Sequence, residues 1–216
     1  MSEAVRLAGE RVANLATQIW EEDVFDARVS DKTTEGLRCK TRISDFTREN
    51  NWGTYKGDGS GTQWCGMFAW YCWKHAGSLD PKWLKSYSQS TYRNQLWAQY
   101  KNWSKNDLNP RAADPTDRRL YVDLRKPFPA GFTPQQGDVV IVGDGTPSFG
   151  DHITLLTDYD AVTGAYKTIS GNGGGLGPNG NSREGVSLKT YYLNKGGYRV
   201  MWLIRPAFGD LLAEQP

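Results

Sequence analysis

The segment from Gln63 to Trp73, QWCGMFAWYCW, constrains the fold more than any other part of the chain. Most of its side chains are apolar or small, which is typical of a helix that is buried on most of its surface. The preceding residues 57–62, GDGSGT, cannot propagate a helix because glycine and polar turn residues dominate them. We therefore predict a buried helix over residues 65–77 that begins close to Cys65 and is closed by Gly77.

Cys65 is a candidate nucleophile because of its place at the start of this helix. The first turn of a helix presents unpaired backbone N–H groups and the positive end of the helix dipole. Such surroundings favour the thiolate, which is the nucleophilic form of cysteine. The alternative is a structural role, since free cysteines are among the most buried residues and usually pack as small hydrophobes.

Charge and composition indicate one domain and name no partner. The chain has 216 residues, which is enough for a single well-cored domain. Its formal charge of +2 comes from 26 basic and 24 acidic residues that are mixed along the length. No polybasic tract suits nucleic acid, so we expect no nucleic-acid partner. Nine tryptophans and a mean hydropathy of −0.64 indicate a soluble protein with an aromatic-rich core or groove.

The sequence contains no apolar run near the ~20 residues that span a bilayer, so we expect no membrane insertion. Charges interrupt the N-terminal residues 1–23 every few positions and leave no apolar core of a secretory signal. We therefore expect a protein made in the cytoplasm without a signal peptide.

Cysteine and histidine usage argues against disulfides, metals and cofactors. Cys39, Cys65 and Cys72 have no repeating spacing, and the last two lie seven residues apart on one helical face. Two distant histidines without a C-x-x-C pair do not supply a zinc site. Residues 171–180, GNGGGLGPNG, lack the Lys-Ser/Thr ending of a phosphate loop, and we interpret them as a flexible turn. We expect no metal and no cofactor.

Hydrophobic patterning predicts helices first and strands second. We predict an amphipathic helix over residues 2–21, irregular structure over 22–62, the helix at 65–77, another helix near 89–103 and a loop-rich connection over 104–136. Runs of β-branched and aromatic residues then predict strands at 138–142, 152–157, 166–170 and 198–204. Helices followed by strands indicate an α+β domain with an antiparallel sheet.

A cysteine nucleophile needs a base, and the chain has two histidines. His75 lies ten residues after Cys65 in the same predicted helix, roughly 15 Å along its axis, and cannot reach the thiol. His152 begins a predicted strand, and a histidine at the edge of a sheet that packs on the Cys65 helix would meet the thiol. A structural histidine is the alternative interpretation.

A third group should orient the imidazole, and the strand after His152 ends in Ile169-Ser170-Gly171-Asn172. Residues two apart on a strand point to the same face, so Ser170 and Asn172 are both candidates. The alternative is that Asn172 only begins the turn before three consecutive glycines.

Five motifs in order carry a family resemblance. They are Trp64-Cys65-x-x-Phe68, Gly137-Asp138-Val139-Val140-Ile141, Asp151-His152-Ile153, Ile169-Ser170-Gly171-Asn172 and Trp202-x-Ile204-Arg205-Pro206. Together they resemble the CHAP and NlpC/P60-type amidohydrolases. The resemblance implies a papain-like fold in one catalytic domain over residues 1–216, with a lead-in at 1–59 and a papain-like core at 60–206. In the common CHAP pattern an acidic residue stands where this chain has Ser170, so the third role passes to Asn172.

The same resemblance implies a cysteine hydrolase of amide bonds in bacterial peptidoglycan, with Cys65 as nucleophile and His152 as base. The oxyanion of such a reaction needs hydrogen-bond donors, and the candidates are the Cys65 backbone amide with Gln63 or Tyr55. Candidate walls of a substrate groove are Trp52, Trp64 and Trp103, although packing is the commoner role of tryptophan.

Several functions stay open on the sequence alone. The alternatives to a peptidoglycan hydrolase are a papain-like protease or isopeptidase that acts on a protein, and a non-catalytic binding module. Without a signal peptide, a wall hydrolase must reach its substrate after lysis, like a phage endolysin, or through a secretion machine, like an antibacterial effector toxin. An effector would require an immunity protein as a partner in the cell that makes it.

Overall fold

The computed structural model describes residues 3–28, 30–49, 55, 64–77, 120–124, 131–144, 152–193, 195–206 and 211. Within these residues the chain forms three helices and then six strands. The helices are α1 (Glu3–Glu21), α2 (Thr34–Arg48) and α3 (Cys65–Ala76). The strands are β1 (Leu120–Asp123), β2 (Val139–Gly143), β3 (His152–Asp160), β4 (Ala165–Leu176), β5 (Ser182–Tyr192) and β6 (Arg199–Arg205).

The strands form one sheet in the order β1-β6-β2-β3-β4-β5, and every neighbouring pair is antiparallel. Consecutive strands from β2 to β5 are neighbours, so short connections suffice to build the centre of the sheet. The predicted α+β class with an antiparallel sheet is confirmed.

Helices α1 and α3 match their predictions. The buried side chains of α1 recur at three- and four-residue spacing, as in an amphipathic helix: Val5, Ala8, Val12, Ala16 and Ile19. Helix α3 buries most of its length, which agrees with its nearly continuous apolar sequence.

Helix α2 corrects the prediction of irregular structure over residues 22–62. The Thr33 side chain caps the helix by accepting a hydrogen bond from the backbone N–H of Gly36, at 3.0 Å. The apolar side that faces the core is narrow and consists of Cys39, Ile43 and Phe46, all fully buried. Polar residues fill most other positions, which is why the helical periodicity is weak in the sequence.

Two further corrections concern strands. The segment 171–180 is not simply a turn, because β4 continues through its glycines to Leu176 and pairs there with β5. Strand β1 lies within the predicted loop-rich connection over 104–136. The other predicted strands are present as β2, β3, β4 and β6. The predicted helix near 89–103 lies outside the described residues.

The sheet is buried on both faces. In β2, Val139 and Ile141 join the hydrophobic cluster under the helices, whereas Val140 and Val142 join a second cluster on the opposite face. Phe132, Tyr159 and Leu193 are partly buried side chains that pack against this second cluster. Burial on both faces explains the unbroken apolar run of β2.

A buried ion pair ties the start of β2 to the end of β6. Arg205 donates to both carboxylate oxygens of Asp138, each at 2.6 Å, and also donates to the backbone oxygen of Thr133 at 2.9 Å. Paired donors of this kind match the geometry of a carboxylate. Two of the motifs that carry the resemblance therefore include residues with a structural role.

The connection between α1 and α2 crosses the outer edge of β5. Val186 donates its backbone N–H to the oxygen of Val24 at 2.8 Å, and Asp26 donates to the oxygen of Glu184 at 3.0 Å. Gly185 has a φ of +144°, and a Cβ there would lie 2.5 Å from the Val24 oxygen. We call residues 24–26 the crossing segment. Only glycine at position 185 allows this segment to lie so close to β5.

None of the helices in the described part of the chain is long and apolar enough to cross a membrane.

Candidate active site

Helix α3 begins at Cys65, as predicted. Trp64 occupies the N-cap position with φ −99° and ψ 12°, and its backbone oxygen accepts the first helical hydrogen bond from Phe68 at 2.9 Å. In a helix that begins here, the backbone N–H groups of the first turn have no acceptor within the helix. The Cys65 amide is one of them, so it remains a candidate oxyanion donor.

The start of α3 lies directly on β3 and β4. A Cβ placed on Gly66 would be 3.2 Å from the Ile153 side chain, and one placed on Gly171 would be 2.4 Å from the Trp64 ring. Two glycines, one on each side of the contact, thus let the helix start lie close against the sheet.

This contact brings the thiol to the chain segment that carries His152. The backbone N–H groups of Ile153, Gly66 and Cys65 itself act to lower the pKa of the Cys65 thiol. Ile153 directly follows His152 in β3, so the start of α3 lies near the strand end that carries His152. The structure therefore brings the start of α3 close to the β3 end that carries His152, and the pairing of the two side chains stays a prediction.

The protonation of Cys65 differs from the sequence expectation of a favoured thiolate. The side chain is only 5% exposed. Burial raises the pKa of the Cys65 thiol above its ordinary value, although the three backbone N–H groups act in the opposite direction. The helix start was read correctly from the sequence, but the depth of burial outweighs its effect. Cys65 is a neutral thiol at neutral pH.

His152 is also neutral at neutral pH. Burial of the ring, with a smaller contribution from the positive charge of Lys189, lowers the pKa of His152 to about 4. A neutral imidazole has one nitrogen that donates and one that accepts. The candidate site thus contains a thiol and an uncharged imidazole.

The Nε2 atom of His152 is buried and has no hydrogen-bond partner among the described residues. Its surroundings are defined by Gly173 of β4. A Cβ placed on Gly173 would lie 3.0 Å from His152 Nε2, 2.6 Å from Ser170 Oγ and 3.0 Å from Ser187 Oγ. The imidazole edge and two serine hydroxyls therefore converge on one point. We call these three side chains the His152 cluster.

The expectation that Ser170 and Asn172 share a face does not hold. The register of β4 with β5 shifts between Ser170 and Gly173, and Asn172 has a positive φ of 53° inside this irregularity. The two-residue alternation of a regular strand is lost at such a bulge. Ser170 is buried close to the imidazole, whereas Asn172 is only partly buried. The role of Asn172 as orienting residue stays a prediction.

The remaining predicted site residues are less defined. Tyr55 is partly buried against the core under the helices, and its backbone N–H donates to Ser44 Oγ at 3.1 Å. Its role as an oxyanion donor stays a prediction. Gln63, the other candidate donor, lies outside the described residues, as do Trp52 and Trp103 of the predicted groove.

The position of Trp64 differs from its predicted place in the wall of a substrate groove. Trp64 is fully buried, and its ring stacks on Phe46 with 5.9 Å between centroids. It covers Gly171 from the helix side. Trp64 is therefore a core residue that seats the helix start, and it does not line an accessible groove in this structure.

His75 and Cys72 lie away from the site. His75 Nε2 is 2.9 Å from the carboxylate of Glu49 near the last turn of α3, as expected for a histidine that cannot reach Cys65. Cys72 is fully buried, and burial raises the pKa of its thiol strongly. All three cysteines are free. The expectation of no disulfide agrees with this.

Three contributions to the site were not found from the sequence: the Ile153 backbone N–H, the small residue Gly173 and the hydroxyl of Ser187. None carries a distinctive signal, because a backbone group has no sequence signature and Gly173 is one of three successive glycines. Ser187 lies between Val186 and Leu188 on a strand that was not predicted.

No group of three or more histidine, cysteine, aspartate or glutamate side chains could hold a metal ion in the part of the chain that is described. Comparison with known proteins gives no match to a family model, to a curated protein or to a solved structure. The geometry of Cys65 and His152 is therefore the basis for any functional conclusion.

Proposed function

We propose that this protein is a cysteine hydrolase that cleaves amide bonds of bacterial peptidoglycan. The observation that carries the proposal is the position of Cys65, at the first residue of a buried helix whose start packs on Ile153, the residue after His152. A thiol, a neutral imidazole and backbone N–H groups at a helix start are the parts that acyl transfer requires.

The reaction follows from the neutral pair. His152 accepts the thiol proton as the Cys65 sulfur attacks the carbonyl carbon, and the Cys65 backbone N–H donates to the oxyanion. When the C–N bond breaks, His152 returns the proton to the departing amine and a thioester remains. Water then attacks the thioester with His152 as base, which releases a carboxylic acid and restores the thiol.

The substrate class comes from the resemblance of the motifs around Cys65 and His152 to CHAP and NlpC/P60-type amidohydrolases. The α+β architecture, with the helix start packed on an antiparallel sheet, supports a papain-like arrangement. Under this proposal the protein acts on the cell wall after lysis or after delivery by a secretion machine. As an effector toxin it would be paired with an immunity protein.

A second candidate is a binding module on the same fold. It is favoured by the burial of Cys65, which leaves 5% of the residue exposed and raises the pKa of its thiol. An electrophilic thiol probe separates the two functions. A hydrolase should be labelled at Cys65 faster than at Cys39 or Cys72, whereas a binding module should show no such preference.

The decisive experiment is mass spectrometry of muropeptides after digestion of purified peptidoglycan, with protein substrates tested in parallel. We expect new amide-cleavage products from the wild type. Cys65→Ser should lower turnover by at least about a thousandfold, as for other nucleophile replacements. Cys72→Ser lies in the same helix and is the matched control, which should retain turnover.

Wild-type cleavage of proteins but not of peptidoglycan would move the assignment to a protease or isopeptidase. Full turnover by a folded Cys65→Ser protein would overturn the cysteine mechanism. The masses of the products also identify the bond, because cleavage between sugar and stem peptide, within the stem and in a cross-bridge leave different fragments.

A further inference from the structure

We propose that Ser187 of β5 is a positioning residue that holds the Nε2 edge of His152 and thereby sets the tautomer of the catalytic base. The inference rests on the proposed function for its catalytic consequence. Its structural part, the hydrogen bonding of the imidazole, stands on the geometry of the His152 cluster.

The first observation is an unpaired group. A buried ring nitrogen without a partner is rare in native proteins, since losing water without gaining a hydrogen bond is unfavourable. His152 Nε2 is such an atom among the described residues. The polar atoms that converge beside it are the hydroxyls of Ser170 and Ser187, whose Cα positions face each other across β4 and β5.

The second observation is the hydrogen bond that Ser187 already makes. Its hydroxyl donates to the backbone oxygen of Gly173 at 3.1 Å and is buried. A serine hydroxyl has one proton to donate and two lone pairs that accept. Because the proton is committed to Gly173, the hydroxyl is left as an acceptor for a ring N–H.

The consequence is a defined tautomer. An acceptor beside Nε2 favours the neutral imidazole with its proton on Nε2. The other ring nitrogen, Nδ1, then carries the free lone pair and can take the thiol proton. Nε2 and Ser187 Oγ do not hydrogen-bond in this structure, so the proposal requires a rotation of the ring or one bridging water to join them.

Gly173 makes this arrangement sterically possible. Any side chain there would enter the space shared by the imidazole and the two hydroxyls, because a Cβ would approach Ser170 Oγ to 2.6 Å. The backbone of β4 lies next to the imidazole at Gly173. Strand β4 therefore provides the space for the ring, and strand β5 provides the Ser187 hydroxyl.

The test is a long-range ¹H–¹⁵N spectrum of the histidine rings in the full-length protein near neutral pH. The chain has two histidines, and His75→Gln leaves the signals of His152 alone. We expect a neutral His152 with its proton on Nε2. Ser187→Ala should raise the population with the proton on Nδ1. Its kcat should fall about tenfold with little change in KM, which is the size expected from one lost neutral hydrogen bond.

Thr168→Val is the matched control. Thr168 is another buried hydroxyl of this strand pair and donates to the backbone oxygen of Lys189 at 3.2 Å, so its loss has a similar structural cost. It should change neither the tautomer nor kcat. A wild-type His152 with its proton on Nδ1 would overturn the proposal even if Ser187→Ala does not fold. Unchanged spectra and kcat in a folded Ser187→Ala would do so as well.

The spectrum also separates this inference from the proposed function. If the wild type does not cleave peptidoglycan, the proposed function fails, whereas the tautomer and its dependence on Ser187 are still measured.

Discussion

The two histidines of this chain lie near opposite ends of helix α3 and in opposite surroundings. His75, near the last turn, contacts the Glu49 carboxylate at 2.9 Å and lies against the Tyr71 ring with 4.2 Å between centroids. Its neighbour Lys74 pairs with the same carboxylate at 2.6 Å. His152, at the start of β3, is partly buried, and its buried Nε2 atom has no partner among the described residues.

The difference separates a structural histidine from a candidate catalytic one. Exposed ion pairs such as those of Glu49 contribute about 0–1 kcal/mol and tolerate replacement. A buried polar atom without a partner costs about 1–3 kcal/mol, so it needs an explanation in a native protein. The proposed role as general base would supply one.

The largest expected effect is the contrast between alanine replacements of the two histidines. His152→Ala removes the general base and should lower turnover by about a hundredfold or more. His75→Ala removes only surface contacts and should leave turnover within about twofold. Steady-state hydrolysis of peptidoglycan by the two purified proteins measures both. Equal losses would erase the distinction between the two ends of α3.

The second prediction concerns stability against pH. The pKa of His152 is lowered from 6.5 in the unfolded chain to about 4 in the native protein. Between these values the unfolded chain binds a proton that the native protein does not. Above pH 6.5 His152 is neutral in both states and does not lower the free energy of unfolding. As the pH falls from 6.5 to 4, protonation of His152 in the unfolded chain lowers the free energy of unfolding by about 3 kcal/mol.

Denaturant unfolding of the wild type and of His152→Gln at several pH values measures this contribution. Other titrating groups act on both proteins, so the difference between the two curves isolates His152. We expect the wild type to lose more stability than the variant as the pH falls from 6.5 to 4. Parallel curves would show that His152 is not buried in its neutral form.

The third and smallest prediction tests Asn172. Its positive φ of 53° makes Asn172→Gly the informative change, because glycine keeps this backbone conformation while the amide is removed. If the amide, and not the Ser187 hydroxyl, orients the imidazole, turnover should fall about tenfold with unchanged stability. Asn172→Ala would instead mix the loss of the amide with backbone strain. Wild-type turnover in Asn172→Gly would leave Asn172 with a backbone role alone.

The sequence predicted the helix start at Cys65 because the glycine-rich residues before it cannot continue a helix. It did not predict the protonation state of the thiol, because the dipole of a helix start is visible in local sequence whereas burial depends on how the helix packs. The position of Asn172 was missed for a similar reason. Alternation along a strand assumes a regular ladder, and the bulge between Ser170 and Gly173 arises from pairing with β5.

Elements with strong local patterns were predicted, and those that depend on distant partners were not. Strands β2 and β6 contain continuous apolar runs, and β3 begins with a buried stretch rich in β-branched and leucine residues. Strand β5 contains Gly185, whose conformation is dictated by a crossing segment far away in sequence. Helix α2 has only a narrow apolar side, so its sequence alone does not predict a helix. The structure shows that this side packs against α3 through Phe46.

The crossing segment at Val24–Asp26 has a consequence for how the protein is made. Strand β5 is the last strand in the sheet order, and exposed edges of this kind are templates for pairing between molecules and for aggregation. The crossing segment occupies the Glu184–Val186 part of that edge. It is synthesised early but has nothing to cover until β5 emerges much later. During synthesis the edge is therefore covered only after long-range contacts form. Mutations that weaken the pairing of residues 24–26 with β5 should reduce the yield of folded protein more than the activity of the molecules that do fold.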